Sequence, residues 1–483
     1  MIFTQHYLSC LSQASYFIGD ESSGRAIVVD PRRDVGIYLD QAAEHGLRIE
    51  RVIETHIHAD FLSGHLELAE ATGAVISYGE DADVEFSIEP LHDGQRISLG
   101  EVTFEVLATP GHTPESICIV VYQRPGDEVP YGVLTGDTLF VGDVGRPDLC
   151  SSAGITTEQL AESLYGSLHD KLLKLPDATR VFPAHGAGSS CGKQLSSETS
   201  STIGEQKKSN YALNKPDVHA FIAAVTDGQS VQPPYFEFDS KRNTEAHPLL
   251  DDDPPPLLDI DEVLRHAQRG AILLDTREPS DYACGHLRGA VNVSLQGRFA
   301  EWAGNVLSPD RDIVLVGDPV HAHESKIRLA RVGFDRVVGQ LRGLAQVVNP
   351  RGDLVSAASR LSVHQLAGLR DAEPRLQVVD VRGPGEVEDG TIPGASVIPL
   401  SALKASLSEI DQSAPVVVYC ASGTRSMVAA SVLRASGYGD VSDVLGGYGA
   451  WMGAELPTED VSAQPSASSA DKTASGSDVA PRL

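Results

Sequence analysis

The stretch "ETHIHADFLSG" (residues 54–64) follows the apolar pair Val52-Ile53 and sets His56, His58 and Asp60 at alternate positions. Ligand-type side chains handed over where a β-branched run ends are typical of a strand passing into a loop. A sheet can hold such loop residues rigidly enough for chemistry. The pattern begins as a metal-binding box, but where many such boxes carry a further histidine this chain has Phe61.

Other strand-like runs end in the same way. "VLATPGHTPES" delivers His112, "GVLTGDTLF" delivers Asp137 and "VFPAHGAGS" delivers His185. Together with "RAIVVD" and "SICIVVY" these runs outnumber the helical stretches in residues 1–238, which predicts a sandwich of sheets with helices outside. Six ligand-type residues, each just past a strand, point to a metal centre rather than to six unrelated structural side chains.

At 483 residues the chain requires several domains. A formal net charge of −29 argues against a nucleic-acid partner, whose phosphates need a basic footprint. Hydrophobic residues make up 41% and charged residues 22%, as in globular domains, and no apolar run approaches a membrane span. The start of the chain lacks a basic-then-apolar signal segment, so a cytoplasmic protein is expected. Six scattered cysteines (10, 118, 150, 191, 284 and 420) without a CxxC pair fit a reducing compartment rather than a disulfide framework.

After a polar, acidic and proline-rich run, read as an extended linker (239–256), the sequence repeats itself. "LLDTREPSDYACGHLRGAVNVSL" (273–295) aligns without gaps on "VVDVRGPGEVEDGTIPGASVIPL" (378–400), with Asp275, Arg277, Gly285 and Gly289 recurring as Asp380, Arg382, Gly390 and Gly394. Short apolar strands alternate with helical stretches in both copies, which predicts two parallel α/β domains at 257–355 and 356–460. The last residues, 461–483, hold almost no large apolar side chains and are expected to be a disordered tail.

In the second copy "VVVYCASGTRSMVAASVL" runs from a strand through Cys420, Ala421, Ser422, Gly423, Thr424 and Arg425 into a helix. Backbone N–H groups of such a loop converge on its centre, and the helix N-terminus favours a thiolate at Cys420 or a bound oxyanion. The first copy has Gly317 and Asp318 at the matching place and no cysteine, so it is expected to be inactive. Its His321 and His323 are read as a solvated loop, and Cys150, Cys191 and Cys284 as structural.

The box, "GHT", "GD" and "PAHG" in that order resemble the metallo-β-lactamase superfamily, and the repeats resemble rhodanese domains. The fold this implies is an α/β multidomain chain: an N-terminal αββα sandwich followed by two rhodanese-like domains with parallel sheets. Within the superfamily the closer similarity is to persulfide dioxygenases fused to rhodanese domains. That branch often keeps a histidine where this chain has Phe61. The resemblance implies one Fe(II) per chain, held by His56, His112 and Asp137, a donor set that leaves positions open for O2 and a substrate. His58, Asp60 and His185 would stand behind these ligands or serve as alternative ones. Arg146, in "GRPD" (145–148), matches a family segment and is expected to face the substrate.

The implied activity oxidises a low-molecular-weight persulfide, carried by glutathione, coenzyme A or a similar thiol, with O2 to sulfite and free thiol. Rhodanese transfer at Cys420, with Arg425 closing the loop and Ala421–Thr424 cradling the sulfur, would make or use thiosulfate. A homo-oligomer, dimer or tetramer, is expected, with no membrane or nucleic-acid partner. Two other readings remain open: a zinc thioester hydrolase of glyoxalase II type using His56, His58 and His112, and a sulfur-relay protein with a structural metal.

Overall fold

The computed structural model describes residues 1–149, 154–348 and 351–460. The expectations for Cys150 and for the tail at 461–483 lie outside the described residues.

Residues at the start of the chain form two packed sheets. The first runs β1 (Ile2–Leu8), β2 (Gln13–Asp20), β3 (Arg25–Val29), β4 (Arg48–Ile53) and β5 (Val75–Ser77), in that spatial order. The second contains β6 (Arg96–Ser98), β7 (Thr103–Ala108), β8 (Ile117–Tyr122), β9 (Gly132–Gly136), β10 (Arg180–Pro183) and β11 (Ser201–Thr202), ordered from β11 back to β6. The period-two alternation of strands explains the layering. Tyr16, Ile18, Ile27 and Val29 face Phe104, Val106, Ile119 and Val121 between the sheets. Their neighbours Phe17, Ala26 and Val28 turn outward onto Tyr38, Ala42 and Leu68 of the helices Gly36–His45 and His65–Thr72. On the opposite side Val120, Val133 and Val181 meet Ala161 and Leu164 of the helix Thr157–Gly166, together with Phe221. The result is the expected αββα sandwich. β4, β7, β9 and β10 all end where the ligand-type residues begin, so the sheets deliver them to one edge.

The two repeats fold alike. In the first, five parallel strands are ordered Leu257–Leu258, Val337–Leu341, Ile313–Val316, Ile272–Asp275 and Val291–Asn292. In the second the order is Ser359–Leu361, Val441–Val444, Val416–Tyr419, Gln377–Asp380 and Ser396–Val397. The shared Asp-x-Arg…Gly pattern has a structural cause. Arg277 bonds Asp275 at 2.6 Å and the Gly285 carbonyl at 2.8 Å, and Arg382 bonds Asp380 at 2.7 Å and the Gly390 carbonyl at 2.7 Å. Each arginine thus ties a strand end to the turn that follows.

The expected linker is more structured than its composition suggests. The helix Tyr235–Thr244 crosses its start, and the Asn243 side chain donates to the carbonyls of His58 and Phe61, both at 2.8 Å. The acidic run then docks on the first repeat: Asp251 pairs with Lys326 at 2.7 Å and Asp252 with His323 at 2.9 Å. The Lys326 ammonium and the His323 ring hold down a segment that like-charge repulsion would otherwise extend. Arg33, buried, spans the sandwich and the first repeat by pairing with Glu67 at 2.9 Å and with Asp335. The Asn292 N–H donates to Ser431 Oγ at 2.9 Å, joining the two repeats.

Candidate functional site

The loops after β4, β7 and β9 bring His56, His112 and Asp137 together, with one ligand atom of each lying within 4.8 Å of the others. His112 Nε2 lies 3.4 Å and His56 Nε2 3.9 Å from Asp137 Oδ2, and the two imidazole planes stand at 87°. All three residues are buried. Gly145 makes the approach possible: a Cβ there would come to 1.9 Å from the Asp137 carbonyl and 3.0 Å from His112 Nδ1.

The nitrogens that face away from Asp137 are held by neighbours. His112 Nδ1 donates to the Arg146 carbonyl at 2.9 Å, and His56 Nδ1 lies 3.0 Å from Thr55 Oγ1, which itself donates to Asp30 at 2.9 Å. Such contacts fix ring orientation and leave Nε2 available as a ligand. Burial lowers the pKa of both His56 and His112, so both rings are neutral at pH 7. Burial disfavours the charge on Asp137, but His185, His56 and His112 outweigh it and hold the carboxyl well below the usual range. Two neutral imidazoles around one ionised carboxylate suit a divalent cation. Asp137 Oδ2 is buried with no hydrogen-bond partner among the described residues, which is the orphaned acceptor that such a cation would satisfy. The donor set therefore fits a metal.

The other ligand-type residues have different partners. His58 Nε2 sits 3.2 Å from Asp30 Oδ1 and 3.3 Å from Glu54 Oε2. Despite its burial, these two carboxylates push its pKa up to about 10, making it an imidazolium. Phe61 packs on the same ring, with centroids 4.4 Å apart. His185 lies 2.8 Å from both Asp137 Oδ1 and Asp60 Oδ2, and these charges raise its pKa against the effect of burial.

Sequence reasoning missed one neighbour. Cys191, read as structural, brings its sulfur within 4.8 Å of ligand atoms of Asp60 and His185. The available signal was its position six residues beyond His185, in "HGAGSSC". Burial raises its thiol pKa well above the ordinary value. The other described cysteines, Cys10, Cys118, Cys284 and Cys420, are likewise free thiols.

The expectation for Arg146 is corrected. Its side chain is almost fully buried and its guanidinium is committed: to Asp148 at 2.7 and 2.8 Å, to the Ser190 carbonyl at 3.1 Å and to the Ser230 carbonyl at 2.8 Å. It braces the segment 230–233 rather than offering a free fork to substrate. Gln232 of that segment lines a cavity of about 360 Å³ beside the metal ligands, together with Ile57, Ala59, Thr113, Phe236 and Lys241.

The second constellation lies between the strand Val416–Tyr419 and the helix Arg425–Ala435. Cys420 Sγ accepts the Gly423 N–H at 3.2 Å, so the loop curls back on its sulfur. Gly423 takes φ +96°, and Gly447 takes φ +57° where a Cβ would lie 2.1 Å from the Cys420 carbonyl. Ser422, Thr424 and Arg425 line a cavity, and Arg425 makes a two-pronged pair with Glu386, both bonds at 2.6 Å. Ala421 is held through its carbonyl, which accepts from the Gly449 N–H at 3.0 Å. In the first repeat Asp318 instead accepts from the Val320 N–H at 3.0 Å, closing a 3-10 turn where the second repeat has its loop.

No helix among the described residues is long and apolar enough to cross a membrane. Comparison with known proteins gives the following. The family model described as Metallo-beta-lactamase superfamily matches residues 8–185, and that described as Rhodanese-like domain matches residues 259–345 and 362–454. Persulfide dioxygenase ETHE1, mitochondrial, of Bos taurus is 32% identical over 179 residues, which is 35% of this chain and 63% of that protein. Hydroxyacylglutathione hydrolase cytoplasmic of Arabidopsis thaliana is 33% identical over 182 residues, 37% of this chain and 66% of that protein. The chain thus spans less than two thirds of the length of these curated relatives. A solved metallo-beta-lactamase from Staphylococcus aureus subsp. aureus COL is 33% identical with a TM-score of 0.64, covering 70% of this chain and 98% of that one.

Proposed function

The chain belongs to the metallo-beta-lactamase superfamily and carries two rhodanese-like domains, and on that premise we propose that it is a persulfide dioxygenase joined to a sulfurtransferase. The observation that carries this reading is the sorting of the box histidines. His56 joins His112 and Asp137, while His58 lies among Asp30 and Glu54. Two imidazoles, one carboxylate and open positions suit non-haem iron that must accept both O2 and a ligand. A zinc hydrolase would call His58 into the metal site, at the expense of two buried carboxylates left without their counter-charge.

Fe(II) bound to this triad would supply the redox chemistry that carries RSSH + O2 + H2O to RSH + SO3²⁻ + 2 H⁺. The protein's share is to place the persulfide. The cavity lined by the metal-box neighbours Ile57 and Ala59 presents these and Phe236 as apolar walls, with Gln232, Glu237 and Lys241 as polar groups for a thiol carrier. Arg146 keeps the 230–233 wall in place, and Asn243 ties the box backbone to the helix Tyr235–Thr244. In the second repeat Cys420 takes and releases sulfane sulfur, coupling the product to thiosulfate. The scattered free cysteines accord with a reducing cytosol.

The test is product analysis on matched samples. Iron-loaded protein given glutathione persulfide in air should yield sulfite, and zinc-loaded protein should not. Sulfite-free turnover of S-lactoylglutathione by the zinc form would favour the hydrolase instead.

A further inference from the structure

The Cys420 loop does not open to bulk solvent alone. Its residues Ser422 and Arg425 share a cavity of about 400 Å³ with the wall segment 230–233 of the sandwich and with the helix Phe299–Val306 of the first repeat. The cavity falls at the lower end of the range typical of sites for whole organic ligands, roughly 300–1,000 Å³. Thiosulfate alone would leave most of it empty.

The first repeat contributes the groups that need a partner. Arg298 Nε and Asn305 Oδ1 are both buried and lack a hydrogen-bond partner among the described residues. Asn305 as a whole is 6% exposed. Beside them Trp302 gives an apolar wall and Arg425 a second guanidinium, each lining the same space. The Arg298 guanidinium also meets Glu301 and the Gly188 carbonyl, which leaves Nε as its buried N–H without a partner among the described residues. That donor, the unsatisfied amide acceptor, the aromatic face and the carboxylates of Glu301 and Glu386 in the same lining match a peptide-like thiol that carries carboxylate, ammonium and amide N–H groups. A bare inorganic anion would meet the carboxylates of Glu301 and Glu386, which pair with Arg298 and Arg425, and would leave Asn305 Oδ1 unsatisfied.

We propose that the first repeat, whose loop has Gly317 and Asp318 where the second has Cys420, is the substrate-binding half of the sulfurtransferase site. Arg298 and Asn305 hold the carboxylate and amide of a tripeptide-sized thiol persulfide, with its terminal sulfur at Cys420. The inference rests on the reading of Cys420 as a sulfur-transfer nucleophile. In the step it serves, the Cys420 thiolate attacks the terminal sulfur of R–S–S⁻. A new S–S bond forms on Cys420, the carrier's S–S bond breaks, and its electron pair leaves on R–S⁻. The sum, Cys–S⁻ + R–S–S⁻ giving Cys–S–S⁻ + R–S⁻, is redox-neutral and needs no other reactant.

The full-length protein is assayed anaerobically for sulfur loading of Cys420 by intact mass, with glutathione persulfide and with thiosulfate as donors. For Arg298→Gln and for Asn305→Leu, the ratio of kcat/KM with glutathione persulfide to that with thiosulfate should fall about tenfold, as expected for loss of one hydrogen bond to a charged or buried group. The fall should sit in KM, and Arg298→Lys should recover much of it by keeping the charge. A ratio unchanged within twofold in both variants overturns the proposal, as does an equal loss with both donors. No loading of the wild-type Cys420 from either donor would overturn the sulfur-transfer reading beneath it, and the proposal with it.

Discussion

His58 Nε2 lies 3.2 Å from Asp30 Oδ1, so a histidine of the metal box is an ion-pair partner of a carboxylate at the end of β3. The neighbouring His56 instead approaches Asp137. Replacement of His56, His112 or Asp137 by alanine is therefore expected to abolish stoichiometric metal binding, measured by elemental analysis of the purified protein. His58→Ala should keep the metal. It should lower stability by roughly 3–5 kcal/mol, because Asp30 and Glu54 lose their buried counter-charge. Metal loss in His58→Ala equal to that in His56→Ala, with the fold intact, would contradict the sorting.

Gly145 has no room for a side chain between the Asp137 backbone and His112. Gly145→Ala should displace one of them and weaken metal retention in a chelator competition, with a stability loss of roughly 1–3 kcal/mol from overpacking. Wild-type retention and melting temperature in this variant would show that the close approach is not what sets the triad.

How much of this was legible in the sequence depends on the separation of the partners. The exits of β4, β7, β9 and β10 could be read because each couples an apolar run directly to a polar ligand type, a purely local signal. The pairing of His58 with Asp30 could not, since it links two strands and nothing near "ETHIHAD" marks it. Arg146 was legible as a notable arginine, but its burial against Ser190 and Ser230 depends on segments far along the chain. The helix Tyr235–Thr244 was hidden by the polar run Asp239–Thr244: Tyr235 and Phe236 at its start enter the core and Asn243 bonds the metal-box backbone, contacts with segments far along the chain. The repeat was the most legible feature, because each Asp-x-Arg…Gly set makes its contacts within a dozen residues. The shared cavity was not legible at all, as segments of all three domains assemble it.

Gly447 takes a left-handed conformation directly against the Cys420 carbonyl. Gly447→Ala should lower stability by about 1–3 kcal/mol through backbone strain and the contact. It should also slow sulfur loading of Cys420, measured by mass, more than it affects the far repeat. Unchanged loading would mean that the loop tolerates a shift there.

Glu301, on the helix that lines the shared cavity, has its pKa raised from 4.5 to about 7, first by burial and then by Asp60, against the pull of Arg298 and Arg425. A raised carboxyl favours the folded state most when protonated. Its contribution is fully present below pH 4.5, declines as pH rises, and is gone once pH has passed about 7. The loss amounts to about 3 kcal/mol at most. Glu301→Gln should therefore flatten stability between pH 5 and 8 in denaturant titrations. A variant curve parallel to the wild type over that range would contradict the assignment.

The proposed role of His56, His112 and Asp137 is to hold one iron that oxidises a thiol persulfide. It is tested most directly by O2 uptake from anaerobically iron-loaded protein given glutathione persulfide, with iron measured on the same sample. The account predicts uptake near one O2 per persulfide, with sulfite or thiosulfate appearing in step. No uptake from protein carrying one iron per chain, with glutathione and coenzyme A persulfides alike, would contradict it.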